Sequence, residues 1–198
     1  MFHVKHEGWT PEELSPAQVA TFGLYEDLLV SQAVPRGIVS ASDSTNLRAR
    51  HILDSLRAVP HIPHGGAQVV DLGSGAGFPG LPVAVARPEL DMTLSEPRQA
   101  RAAFLELVLE KLRLPNVRVF ANPAEELVTG FEVCLARGFG DASRTWGVAR
   151  DLLGPRGTWI YWAGRSFTAD DVPANAQVTG TGKATLESGG PIVIMTRQ

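Results

Sequence analysis

Cysteine is almost missing from this chain. Cys134 is its one thiol, so no internal disulfide can form, and the composition fits a reducing, cytoplasmic setting. Long apolar runs are missing too. No stretch approaches the ~18 apolar residues needed to cross a bilayer, and the opening Met1-Phe2-His3-Val4-Lys5-His6 lacks the apolar core of a secretory signal. Nor is there a basic excess. With a formal net charge of −3 and a pI of about 5.9, bulk attraction to nucleic acid is excluded, and any RNA contact must come from a local patch. Internal repeats and low-complexity tracts are also absent. What remains, at 198 residues with 44% hydrophobic and 20% charged, is an ordinary globular composition. It is expected to form one domain over 1–198, with an N-terminal helical cap over 1–66 and a ligand-binding core over 67–198.

The chain then reads as an alternation. Thr10-Pro11-Glu12-Glu13 has capping-box spacing with proline at the first helical position, which predicts a helix from there to about Ser31, ended by Pro35 and Gly37. A second helix is expected over 46–59. Ile52, Leu56 and Val59 recur at helical spacing toward a core, while Arg48, His51 and Ser55 share another face, flanked by Arg50 and Asp54. Strand-like runs at 67–71, 91–95, 117–120, 132–136 and 158–162 alternate with helical patterns at 81–86, 98–112, near 123–127, and at 143–153. Gly154-Pro155-Arg156-Gly157 reads as a turn, and a final strand is expected over 192–195 in a Gly- and Thr-rich remainder. In the helix at 98–112, Phe104, Val108 and Leu112 form one stripe with Leu105 and Leu109 beside it. Alternating β and α units give an α/β fold, a mainly parallel sheet covered by helices on both faces. Cys134, between Val133 and Leu135 in a strand, belongs to the core.

The stretch around which the chain is organised is Val69-Val70-Asp71-Leu72-Gly73-Ser74-Gly75-Ala76-Gly77-Phe78-Pro79-Gly80. It reads as a buried strand, a glycine-rich turn and a helix start. Such a turn at the carboxyl edge of a parallel sheet is where α/β folds bind nucleotides. Gly75 to Gly80 fits the G-x-G-x-x-G dinucleotide fingerprint. Asp71, at the strand end, argues for a cation instead. A carboxylate beneath the ligand would repel a pyrophosphate and attract the sulfonium and amino group of S-adenosylmethionine. Glu96 ends the next strand, 19 residues past Gly77, where an acid is placed to hold a ribose diol. That second acid fits either ligand.

Arg137, beside Gly138 and Gly140 after the fourth strand, is the leading functional arginine. Arg98 and Arg101 open a helix, where a cation is disfavoured by ~0.3–1 kcal/mol, so they read either as phosphate contacts or as solvated charges. His61 and His64, in a Pro/Gly loop without acidic company, do not make a metal site, and no metal is expected.

Taken together, Asn46-Leu47, Arg50-His51-Ile52-Leu53-Asp54-Ser55, the turn at 69–80 and Ala136-Arg137-Gly138-Phe139 resemble one family, the bacterial small-subunit ribosomal RNA guanine-N7 methyltransferases, RsmG, also called glucose-inhibited division protein B. The resemblance covers roughly residues 20–165. It implies a class I SAM-dependent methyltransferase fold, Rossmann-like, with an N-terminal helical extension. It implies S-adenosylmethionine as cofactor and methylation at N7 of a guanine in the decoding region of 16S rRNA, on free rRNA or a small-subunit assembly particle. The chain is expected to act as a monomer away from membranes.

Matching motif to motif, the family's cofactor positions fall on Gly73, Phe78, Ala124, Glu125 and Arg137, joined by Asp71, Gly75, Gly77 and Glu96 from the reading above. Arg48, Arg50, His51, Ser55, Arg98, Arg101 and Arg165 are the RNA-contact candidates, and Arg137 and His51 the candidates for positioning substrate. The chain departs from the family after the fifth strand, where Ala163-Gly164 replaces Lys-Gly and Arg165 follows two positions late.

The chemistry implied is economical in side chains. N7 of guanine carries a lone pair and no proton, so in-line methyl transfer requires placement rather than a general base. The chain shows no acid–base constellation, no Asn/Asp-Pro-Pro-Tyr turn after the fourth strand and no loop cysteine. Three other readings stay open from sequence: a SAM enzyme for a small molecule, an NAD(P) oxidoreductase, and a non-catalytic SAM-binding protein.

Overall fold

Strands Gln68–Leu72 (β1), Asp91–Ser95 (β2), Val117–Phe120 (β3), Phe131–Arg137 (β4), Leu153–Trp162 (β5), Ala176–Gly182 (β6) and Ile192–Arg197 (β7) make one sheet. Its order in the computed structural model is β3-β2-β1-β4-β5-β7-β6. The structure describes residues 14–44, 46–184 and 189–198. The first five strands pair in parallel, while β7 runs antiparallel to both β5 and β6. The chain winds outward from β1 to β2 and β3, then returns to lay β4 on the other side of β1. The reversal puts a switch point between the carboxyl ends of β1 and β4, where open α/β sheets hold ligands.

Helices Pro16–Leu28 (α1), Asp54–Leu56 (α2), Gly80–Ala86 (α3), Gln99–Leu112 (α4) and Ala142–Leu152 (α5) cover the sheet. Side chains alternate between its faces, as a pleated strand requires. Val133 and Leu135 of β4 join a cluster with Tyr25, Leu29, Leu81 and Leu105, while Cys134 and Ala136 join a second with Trp146, Leu152 and Trp159. Cys134 is fully buried. The expected stripe on α4 holds, with Phe104, Val108 and Leu112 in the core together with Leu105. The first cluster runs without a break from α1 into the sheet, so the N-terminal helices share their core with the strands.

Several expectations are revised. The Thr10 cap lies outside the described residues. α1 starts at Ser15 with the same grammar: the Ser15 hydroxyl accepts from the Gln18 N–H, the Gln18 side chain accepts from the Ser15 N–H, and Pro16 holds the first position. It runs on as a π turn over Leu29–Ala33. The second helix is shorter than 46–59. A π-helical Arg48–Leu53 feeds α2, and Pro60 sits in a separate 3-10 turn, Val59–His61. Ile52, Leu56 and Val59 are buried as expected. Gly154 to Gly157 do not reverse the chain. They lie inside β5 as an irregularity, across which the register against β4 shifts. Strand β6 was not expected, because its Ala-Gln-Val-Thr-Gly-Thr-Gly sequence is mostly exposed and pairs with β7 alone, leaving no buried stripe to signal it.

Candidate active site

The turn after β1 takes the left-handed backbone that its glycines allow, with φ of +67° at Gly73, +61° at Gly75 and +105° at Gly77. The Gly77 and Phe78 N–H groups both donate to the Ser74 carbonyl, at 2.7 and 3.0 Å. The demand at each glycine differs. A Cβ on Gly77 would collide with Leu81 and stand 2.8 Å from the Tyr25 hydroxyl. At Gly75 its nearest neighbours would be Gly73 O and Arg101 Nη1, both at 3.8 Å, so backbone conformation rather than crowding requires glycine there.

Two buried carboxylates close this side. Asp71 is fully buried, and its Oδ2 accepts from the Gly80 N–H at the start of α3 at 3.1 Å. Burial pushes its carboxyl up to about 7, against the pull of hydrogen bonds and of Arg137. Its Oδ1 is buried without a hydrogen bond. Asp71 therefore lies sealed under the turn, and it acts on the cleft through its field rather than by contact. Glu96 is 3% exposed. It accepts from the Gly75 N–H and the Arg98 N–H, each at 3.0 Å, with Arg101 Nη1 3.9 Å away. Both acids thus occupy the amide donors that an anion at this turn would use.

The Arg-His element arrives from the N-terminal side. The His51 ring stacks on Phe78, with centroids 4.8 Å apart and planes tilted by 22°. Arg137, the last residue of β4, meets His51 Nδ1 through Nη2 at 2.7 Å and donates to the Arg50 carbonyl at 3.2 Å. Nδ1 is therefore the acceptor and Nε2 carries the proton, facing Asp43 Oδ2 at 3.6 Å. Burial and the Arg137 charge bring the imidazole down to about 4, so it is neutral across the physiological range. Asp54 ties the arginines together. Its Oδ1 accepts from Arg57 at 2.7 Å, and its Oδ2 lies 3.5 Å from Arg137 Nη1. Arg57 also donates to the carbonyls of Gly182 and Gly190, which pins α2 to the C-terminal hairpin. Asp54, Arg57 and Arg137 line a cavity of about 360 Å³ at the ends of β4 and β5, together with Trp162 and Ala163.

The remaining candidates divide. Arg50 lines the same cavity and pairs with Asp43 at 3.1 Å. Ala124 is buried in the turn after β3, but Glu125 points elsewhere, into a second hollow beside Val148 and Asp151. Arg48 is engaged by Glu26 of α1. Arg98 is the exposed N-cap of α4, and Arg101 leans toward Glu96. Arg165 is exposed in the turn after β5. Ser55 is corrected: it is fully buried, its hydroxyl donating back to the His51 carbonyl at 2.5 Å, so it cannot meet RNA. Sequence reading missed Tyr25, whose hydroxyl donates to the Ala76 carbonyl in the turn at 2.7 Å. It also missed Arg57 and Trp162. Arg57 caps α2, just beyond the Arg-His element, and its i,i+3 spacing from Asp54 was the one available signal.

A family described as rRNA small subunit methyltransferase G matches residues 18–187. The chain belongs to this family. The small-subunit methyltransferase G of Pseudarthrobacter chlorophenolicus is 35% identical over 84% of the chain and 74% of its own length. That of Salinispora arenicola is 44% identical over 61% of the chain, and the chain spans about half, 52%, of that relative's length. Among solved structures, a mutant of MtNAS in complex with S-adenosylmethionine superposes with a TM-score of 0.61 at 15% identity, covering 91% of this chain and 72% of that one. At that identity the likeness speaks for the fold, which is that of the class I SAM-dependent methyltransferases.

Proposed function

We propose that this family member transfers the methyl group of S-adenosylmethionine to N7 of a guanine in the decoding region of 16S rRNA. The observation that carries the reading is the convergence of two distant motifs at the sheet's switch point. The glycine turn and the Arg-His element meet through the His51–Phe78 stack and the Arg137–His51 contact.

The turn suits a sulfonium cofactor better than a dinucleotide. A pyrophosphate needs the Gly75 amide and the N-terminus of α3, and here Glu96 and Asp71 already accept from those N–H groups. The ionised form of Asp71 favours a cation held across the turn. When bound, S-adenosylmethionine supplies an electrophilic methyl group. The protein's share is placement. Gly73, Gly75, Gly77 and Phe78 shape the cofactor side, with Ala124 closing the adenine end, while Arg137 and the cavity beside it receive the base. His51 is no general base. It is neutral, its Nδ1 already receives Arg137, and N7 has no proton to give up.

The test is chemical. N7 methylation leaves a fixed charge on guanine, and borohydride and aniline then cleave the strand there. Incubation with S-adenosylmethionine and small-subunit rRNA, or the assembly particle, is expected to create one such site in the decoding region, mapped by primer extension. Methyl label on adenine, cytosine or a small molecule, with no cleavable guanine, would refute the assignment.

A further inference from the structure

One carboxylate meets both residues of the Arg-His pair. Asp43 Oδ1 lies 3.1 Å from Arg50 Nη1, and Oδ2 lies 3.6 Å from His51 Nε2. Consecutive residues of a helix point in different directions. Asp43 reaches both because it arrives from outside their helix, from the 3-10 turn Ala41–Asp43. That turn is fixed locally. The Ser40 hydroxyl oxygen accepts from the Ser42 N–H, and the Asp43 N–H donates to the Ser40 carbonyl at 3.0 Å. The Ser44 hydroxyl donates to the Ala41 carbonyl at 2.7 Å, and the Asn46 N–H to the Asp43 carbonyl at 2.9 Å. The Asp43 side chain is 20% exposed and that of His51 13%, so the pair is only weakly screened by solvent.

The imidazole depends on that carboxylate. Arg137 occupies Nδ1, which leaves the proton on Nε2. Nε2 is buried and makes no hydrogen bond. At 3.6 Å, Asp43 Oδ2 is beyond hydrogen-bond length, but its charge still favours a proton on the nitrogen that faces it. Burial, Arg137 and Arg50 all act against charge on the ring, and Asp43 opposes them. The geometry points to Asp43 as a positioning residue for methyl transfer: it holds the His51 ring in the tautomer and orientation that present Nδ1 to Arg137 and keep the ring face on Phe78. Asp43 does not line the cavity, and it acts through His51. It is the outer end of a run of contacts, Asp43 to His51 to Arg137 to Asp54 to Arg57, that crosses from the N-terminal turn to the Gly182 and Gly190 carbonyls. The role in catalysis rests on the methyl-transfer reading above; the tautomer does not.

The experiment reads the tautomer and the rate separately. The full chain is prepared with isotope-labelled imidazoles, and long-range proton–nitrogen spectra give the tautomer of each of its five histidines. His51 is assigned by the signal lost in His51→Phe. The wild type is expected to show His51 protonated on Nε2 alone, and Asp43→Ala a mixture of the two tautomers. In Asp43→Ala, kcat on small-subunit rRNA is expected to fall roughly fivefold, the scale of one lost polar contact, with the loss in S-adenosylmethionine affinity by calorimetry smaller than that. Asp43→Asn keeps an acceptor oxygen and gives up the ion pair with Arg50, and it is expected to restore the tautomer and most of kcat. In a His51→Phe background, Asp43→Ala is expected to add nothing to the loss in kcat. If Asp43→Ala does not fold, Asp43→Ser, too short to reach Nε2, takes its place. A wild-type His51 protonated on Nδ1, or a folded Asp43→Ala with its tautomer unchanged, overturns the contact. An additive loss in the His51→Phe background, or an Asp43→Asn as slow as Asp43→Ala, overturns the route through His51. Wild-type protein that binds S-adenosylmethionine and labels no guanine overturns the reaction and Asp43's part in it, and is told apart by a tautomer that still shifts in Asp43→Ala.

Discussion

The carboxyl edge of the sheet is built in two halves of opposite character. At β1 and β2, two buried acids, Asp71 and Glu96, hold backbone N–H groups of the turn. At β4 and β5, Arg57 and Arg137 flank Asp54, and Arg50, paired with Asp43, lines the same cavity. The halves are joined by the His51–Phe78 stack. A net charge of −3 hides this division, since it averages an acid-backed turn and an arginine-walled cavity that present different chemistry to a ligand. The local sign of charge, set by which side chains the fold brings to the edge, decides what each half can hold.

The largest effect on the acidic half is expected from Gly75→Val. A branched residue in the left-handed region costs at least ~1–2 kcal/mol, and it stands at the turn where the cofactor is proposed to pass. Since little crowds Gly75, the variant is expected to fold yet lose S-adenosylmethionine binding beyond detection by calorimetry. Unchanged affinity in a folded variant would break the assignment of this half.

On the basic half, Arg57→Met removes a side chain that is 11% exposed and bonded to Asp54, Gly182 and Gly190. Removing one partner of a buried pair costs ~3–5 kcal/mol. A drop in melting temperature is expected, together with a loss of RNA methylation larger than any loss of cofactor affinity. If cofactor affinity falls as steeply, the two halves are not separable.

A third test uses pH. Asp71 is largely neutral below about 7 and ionised above it, and the ionised form attracts a cation. Affinity for S-adenosylmethionine is therefore expected to rise from pH 6 to 8, more than for the neutral sulfide product, and Asp71→Asn should flatten the difference. Stability runs the other way. A carboxyl raised from 3.8 to about 7 by burial contributes stability below its unfolded value that is lost as pH rises through 7, so Asp71→Asn is expected to melt later than the parent at pH 8. Parallel pH profiles for the cofactor and its sulfide product would remove the sulfonium argument.

Smaller changes sharpen the comparison. Tyr25→Phe deletes one buried hydrogen bond to Ala76 and is expected to cost ~1 kcal/mol of stability with a few-fold weaker cofactor binding. Arg48→Ala breaks an exposed pair with Glu26 and is expected to cost at most ~0.5 kcal/mol. Replacing exposed Arg98 tests the remaining patch: the slope of log RNA affinity against log salt is expected to fall by about one if it meets a phosphate, and an unchanged slope moves the patch toward Arg165.

Much of this was written in the local sequence, and the reason is that it depends on local rules. The turn at 73–80 announced itself because only glycine takes positive φ cheaply, and the strands because β1 and β4 are largely buried on both faces and so read as mostly apolar runs. The family likeness rested on the same short motifs. Where pattern depends on long-range pairing, the reading failed. Gly154 to Gly157 carry the signature of a reversal, yet flanking pairs with β4 hold them in a bulged strand. Ser55 shares a helical face with His51, but the packing of α2 against α3 buries it.

The sequence by itself determined the alternating α/β order, the left-handed turn, the acids at the ends of β1 and β2, and the placing of Arg137 at the end of β4. Each follows from spacing, backbone sterics or periodicity within a few residues. Tertiary structure alone decided what those residues do to one another. It sealed Asp71 under the turn, turned Glu96 onto the Gly75 amide, gave His51 Nδ1 to Arg137, and set Asp54 and Arg57 as the brace of the arginine wall. The contact between His51 and Arg137 joins positions 86 residues apart and that between Gly75 and Glu96 positions 21 apart, and no local pattern encodes them, because they exist once the sheet has brought its carboxyl ends to one edge.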